Sequence, residues 1–134
     1  MANITVDSSA VRMTKEIDSA FKHTTMCGVA INRGQLIKLD TNGKWDLADQ
    51  DDVGVVATYF SINDGAVNFP VTGIQKGTVD LGLSALSGVA YGAAIYATAT
   101  AGNIADSGTA IIGYVTGVNA ESPYGKLLDV NTVK

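Results

Sequence analysis

Cysteine and histidine each occur once in these 134 residues, as Cys27 and His23. A lone cysteine excludes an intramolecular disulfide. A lone histidine excludes a multi-histidine metal site. Proline is down to two residues, and charged residues make up 16% of the chain, against about 25% in ordinary soluble domains. Long apolar runs are missing too. None reaches the ~18–20 residues of a membrane-spanning helix, and the opening MANITVDSSAVRMTKE has no apolar centre of the kind a signal peptide carries. Positive charge is in deficit, with nine Lys and Arg against thirteen Asp and Glu, for a net charge of −4. A phosphate-binding domain normally presents a basic face. Neither nucleic acid nor membrane is therefore expected as a partner, and synthesis and assembly in cytoplasm are expected.

What the chain does have is apolar residues, at 46%, and fifteen glycines spread between short apolar runs. Scattered glycine with abundant Val, Ile, Thr and Tyr reads as many short strands joined by tight turns. The expected fold is one mainly-β domain, large enough to bury roughly two-thirds of its unfolded surface.

The chain divides by composition. Residues 1–24 contain no glycine and are rich in Ser, Thr and charge. They read as an N-terminal arm, followed by a β-rich body over 25–134. Residues 1–38 carry five basic groups against three acidic ones, so the remainder is the acidic part. The apolar residues of the arm lack a continuous stripe. Standing isolated, they suggest that the arm docks on another surface, through Val11, Arg12, Met13, Lys15, Ile17 and Phe21.

From Cys27 onward the strand signals recur. Gln35–Leu39 and Lys44–Leu47 flank Asp40-Thr41-Asn42-Gly43, a hairpin turn. Val53–Phe60 alternates with both faces apolar and reads as a central strand. Val67–Ile74 carries Pro70, which assigns it to an edge or a bulge. Ile111–Val118 reads as a second central strand, and Ser122-Pro123-Tyr124-Gly125 as a turn before Lys126–Val130.

An internal duplication organises these elements. Gly34 aligns with Gly92, Ile37 with Ile95, Gly43 with Gly102 and Trp45 with Ile104. Val53-Gly54-Val55-Val56 aligns with Ile112-Gly113-Tyr114-Val115. The repeated unit is a turn glycine, a strand, a hairpin, a strand, a loop and a long strand. Its second glycine is expected inside a strand, where the missing side chain lets another backbone or ring approach.

Groups that can carry chemistry are few. His23 and Cys27 stand four residues apart and formally make a base–thiol pair, but MCGVAI around the thiol is apolar and reads as a buried, inert cysteine. Asp49-Gln50-Asp51-Asp52 offers oxygens to Ca²⁺ but lacks the spaced Gly and Glu of an EF-hand loop, so it reads as a solvated loop. No Gly-Lys-Ser/Thr phosphate loop occurs. No catalytic residue, metal or cofactor is expected. Trp45 and Tyr124, in or beside turns, are candidate stacking platforms for a glycan.

The segments INRGQLIKLDTNGKW, DDVGVV, VTGIQKGTVD and VAYGAAIYATATAGNI, with TAIIGYVTGV, resemble the capsid cement, or decoration, proteins of tailed bacteriophages, over roughly residues 27–130. The resemblance implies a small β-barrel or β-tulip domain, a homotrimer on the outer capsid surface of the virion. Its partner would be the major capsid protein, and its effect stabilisation of the expanded shell. The N-terminal arm is longer than in many such proteins, so capsid binding and exchange between subunits are both open to it. A head-fibre base or glycan-binding module on the virion surface is the alternative.

Overall fold

The computed structural model describes residues 4–13, 21–82, 85–117 and 126–133. As expected, it is almost entirely β. A 3-10 turn, Ser8–Ala10, precedes β1 (Arg12–Met13). Ten strands follow: β2 (Lys22–Met26), β3 (Leu36–Leu39), β4 (Trp45–Leu47), β5 (Thr58–Ser61), β6 (Pro70–Ile74), β7 (Lys76–Asp80), β8 (Ala94–Ala97), β9 (Ile104–Ala105), β10 (Ile111–Gly117) and β11 (Lys126–Asn131). They form two antiparallel sheets, one ordered β1-β7-β11-β10-β8-β9 and the other β2-β6-β5-β3-β4. Neither sheet closes, so the expected barrel is replaced by two open sheets.

Period-two alternation explains where the cores form. In the five-stranded sheet, Leu36, Phe60 and Ile74 lie in one cross-strand row. They pack into the main core with Val79, Ile95, Ile112, Leu128 and Val130 of the six-stranded sheet. The alternate residues point the other way. Ile37, Trp45 and Val71 build a second, smaller core with Cys27 and Ile31, covered by Leu47 and Tyr59. The five-stranded sheet is thus apolar on both faces, which its near-continuous apolar strands require.

Trp45 organises the smaller core. It is fully buried, and its indole N–H donates to the Val71 carbonyl at 2.7 Å. A Cβ on Gly73 would fall 2.7 Å from Cβ of Tyr59, 3.1 Å from Cδ1 of Ile37 and 3.2 Å from the indole. Only glycine leaves that space. The anchored ring pulls β4 toward β2. The two edges meet at one parallel bridge, Cys27 with Trp45, where the Gly28 N–H donates to the Trp45 carbonyl at 2.8 Å. The sheet curls through that contact without becoming a barrel.

The duplicated hairpins share one register. Leu39 pairs with Trp45 and Lys38 with Asp46. In the second unit Ala97 pairs with Ile104 and Tyr96 with Ala105, the pairs that the sequence alignment equates. Gly34 and Gly92 take φ of 88° and 83°, and Gly43 and Gly102 take 74° and 87°. These left-handed values suit glycine above other residues.

The second half of the duplication departs from the alignment. Ile37 pairs with Tyr59 and Ile95 with Gly113, so Gly113 takes the place of Tyr59 and not of Gly54. Gly54 sits in a turn at φ 84°, and the strand expected over Val53–Phe60 is confined to Thr58–Ser61. The cause is local. The Asp52 carbonyl accepts from the N–H of both Val55 and Val56 at 3.0 Å, closing a turn where alternation alone predicts a strand. Gly113 does lie within a strand. A Cβ there would strike the Asp129 carbonyl on β11.

Pro70 opens β6, a strand flanked on both sides by β2 and β5 and so not at an edge. It is tolerated there because β5 pairs only with Gly73 and Ile74. No ladder neighbour faces its missing N–H.

Trp45→Phe removes the indole donor to the Val71 carbonyl in a dry site and opens a void. A loss of about 2–4 kcal/mol in unfolding free energy is expected, measured by urea denaturation with circular dichroism.

Candidate functional site

The residues expected to dock outward are partly consumed inside the fold. Val11 is 2% exposed and belongs to the main core. Arg12 and Met13 form β1, paired with Asp80 and Val79 on β7. Phe21 is half-buried, with the Lys76 ammonium 5.4 Å from its ring centroid, and its carbonyl accepts from Gln75 N–H at 2.8 Å. Lys15 and Ile17 lie outside the described residues. Residues 4–13 are therefore part of the body and not a free arm. The Ile4 N–H donates to the Ile104 carbonyl at 2.9 Å and the Asp7 N–H to the Leu81 carbonyl at 3.1 Å. Gly34 makes room for this segment. A Cβ there would fall 2.5 Å from Val6 and 3.1 Å from Val11. Val11 and Phe21, two of the apolar residues that suggested a foreign surface, find their partners within the chain.

The groups with chemical potential sit in structural roles. Cys27 is fully buried, and desolvation pushes its thiol above the ordinary range, which disfavours the reactive thiolate. His23 lies on β2 opposite Gly73, edge-on to Trp45 at 5.6 Å between ring centroids and 6.2 Å from Tyr59. Trp45 has no exposed face, so it offers no platform to a glycan. Tyr124 lies outside the described residues.

The acidic loop is committed internally. Both Asp52 carboxylate oxygens accept from the Lys38 ammonium at 3.0 Å. Asp52 also accepts from Asp49 N–H at 2.9 Å, and Asp49 accepts from Asp51 N–H at 2.9 Å. These are turn-closing bonds of the kind short acidic side chains make. Among the described residues no cluster of three or more metal-ligating side chains occurs. Burial works against ionising Asp52. It is outweighed by the Asp49 N–H and the Lys38 ammonium, so the carboxyl sits below the usual carboxylate range. The bond to Asp52 holds the Lys38 ammonium above its ordinary range, against partial desolvation.

The surface also displays large apolar side chains. Val55 is 80% exposed on the turn closed by Asp52, with Val56 beside it. Phe69 and Val67 stand out next to Pro70, and Tyr91 and Tyr114 on and beside β10 are likewise exposed. Tyr91 is held by the Lys126 ammonium 5.1 Å from its ring centroid and packs so close to Gly117 that a Cβ there would lie 3.0 Å from the ring. Sequence reasoning placed Val55 in a strand. The signal for its exposure was Gly54, read as a strand glycine when it is a turn glycine.

Two measurements follow from this geometry. Val11→Ala is expected to cost about 2 kcal/mol, read as a drop in melting temperature. A freely projecting residue would leave the melting temperature unchanged. The folded-state value of Asp52 is lowered, so its contribution is present above the ordinary carboxylate range and fades as pH falls through the folded value. The Lys38 contribution, from a raised value, is intact at neutral pH and lost only in strong alkali. Asp52→Asn is therefore expected to lower stability by up to about 1 kcal/mol at neutral pH. The gap from the parent chain should narrow in acid, as checked by thermal melts across pH. No protein-family model matches this chain, nor does any curated protein or solved structure.

Proposed function

We propose that the chain is a non-enzymatic structural protein of a tailed-phage virion, one that binds the outer capsid surface through the major capsid protein and stabilises the shell. The observation that carries this reading is the display of Val55, Val56, Val67, Phe69, Tyr91 and Tyr114 outside a well-filled double core. Side chains of this kind on pinned turns suit contact with another protein surface. The Cys27 thiol, by contrast, is buried, and the Asp49 and Asp52 carboxylates are tied into a turn. The low charge content favours the same reading, because interface centres are depleted in charge. The sequence resemblance supplies the capsid as the surface. Many modest contacts repeated over a symmetric lattice would give strong net attachment without a deep pocket.

The test is co-sedimentation of the purified chain with undecorated, expanded shells of a phage that encodes it. Saturable binding and a raised shell melting temperature are expected. Val55→Asp is expected to weaken binding at least about tenfold, equal to 1.4 kcal/mol, while leaving the melting temperature of the free chain unchanged. Failure of the parent chain to bind such shells would refute the proposal.

A further inference from the structure

The sequence has one Asn-Gly step, Asn42-Gly43, and one Asp-Gly step, Asp64-Gly65. A glycine after either residue leaves its amide nitrogen unhindered. That nitrogen can attack the preceding side-chain carbonyl and close a five-membered succinimide ring. The fold treats the two steps differently. The Gly65 N–H donates to the Ile31 carbonyl at 2.9 Å, and the Ile31 N–H returns the bond to Gly65. A Cβ on Gly65 would fall 2.5 Å from Val71. The Asp64 carboxylate accepts from the Arg33 N–H at 2.8 Å and lies 3.4 Å from Arg33 Nε. Both the attacking nitrogen and the target carboxyl are therefore held by partners distant in sequence.

Asn42 is exposed at the tip of the β3–β4 hairpin. Gly43 takes φ of 74°, and no atom stands within 4 Å of where its Cβ would be. Its N–H donates to the Asp40 carbonyl at 3.0 Å, inside the same turn. One local bond at a surface tip opens far more cheaply than a core ladder. Among the described residues the Asn42 side-chain amide has no hydrogen-bond partner. Other asparagines are worse placed. The Asn63 amide accepts from the Thr72 N–H at 2.7 Å and donates to the Pro70 carbonyl at 3.3 Å. Asn68 accepts from the Lys44 ammonium at 3.1 Å. Asn103 precedes Ile104, which is bulky, β-branched and buried.

We propose that Asn42 is a site of spontaneous covalent modification, converted through a succinimide shared with Gly43 into isoaspartate and aspartate. Hydroxide removes the Gly43 amide proton, and the nitrogen attacks Asn42 Cγ. The bond from Cγ to Nδ2 breaks, and the side-chain nitrogen leaves as ammonia after taking a proton from water. Water then opens the ring. Cleavage between the ring nitrogen and Cγ leaves aspartate. Cleavage on the other side leaves isoaspartate, with the main chain running through Cβ and Cγ. No oxidation or reduction is involved. The product adds one negative charge to a chain of net charge −4, beside Asp40. Isoaspartate also lengthens the backbone by one methylene between two anchored points, because the N–H groups of Asn42 and Lys44 both donate to Asp40 Oδ1, at 2.8 and 3.0 Å. The Gly43 carbonyl accepts from Thr25 Oγ1 at 3.2 Å, so the longer backbone loosens the tie between this hairpin and β2.

The test is timed incubation of the full chain in warm, mildly alkaline buffer, followed by peptide mapping with mass spectrometry. Conversion at Asn42 is expected ahead of every other asparagine, with isoaspartate exceeding aspartate and Asp64 unchanged. The rate is expected to rise with pH, because the attacking nitrogen must first lose its proton. Gly43→Asn keeps a residue that accepts the left-handed backbone but shields that nitrogen with a side chain. It is expected to slow conversion at Asn42 by about tenfold or more, with an unchanged circular dichroism spectrum. Absence of isoaspartate at position 42 overturns the inference. So does earlier conversion at another asparagine, or a folded Gly43→Asn variant that converts at the parent's rate. None of these outcomes depends on a capsid, so shell binding stands or falls separately.

Discussion

The burial of Trp45 against Gly73 is the constraint on which the five-stranded sheet depends. One indole fills the space that a missing Cβ leaves, and one N–H finds the Val71 carbonyl. These two facts bring β4 over β6 and toward β2. They produce the Cys27–Trp45 bridge, bury the cysteine and place His23 and Tyr59 around the ring. A large aromatic surface removed from water drives the arrangement, and the hydrogen bond sets its direction. Because the closing contact is one bridge and not a ladder, the sheet curls and stays open.

Glycine governs the rest of the architecture by two separate mechanisms. At Gly34, Gly43, Gly92 and Gly102 a left-handed backbone is required, and these are the positions where the two repeat units agree. At Gly73 and Gly113 the requirement is proximity, of a ring in one case and of the Asp129 carbonyl in the other. The units diverge where one mechanism replaces the other. Gly54 turns the chain, whereas Gly113 lets a neighbouring strand approach. The same residue type in an aligned position therefore does different work.

The distribution of polar chemistry separates interior from surface. Carboxylates in the Asp49–Asp52 loop close a turn and hold Lys38, and the cysteine is sealed inside. The large apolar side chains left outward include valines and aromatics on turns. They are held by a scaffold with two filled cores.

Alternation and turn chemistry in the sequence were enough to determine a mainly-β body, the hairpin at Asp40–Gly43, the apolar strands around Ile37 and Ile95, and the shared register of the two hairpins. These depend on neighbours a few residues apart, which a sequence displays directly. The tertiary structure alone decided that Val11 is core and not a docking residue, that Gly54 bends the chain and exposes Val55, that Pro70 sits in an inner strand, and that Trp45 is sealed from any ligand. Each of these turns on a partner distant in sequence: Gly34 for Val11, the short reach of β5 for Pro70 and Gly73 for Trp45. The exception is the Asp52 carbonyl beneath Val55. It is only three residues away, but it competes with a strand pattern that looks stronger. A one-dimensional pattern records which residues prefer burial. Which of them obtain it depends on the space that other segments leave open.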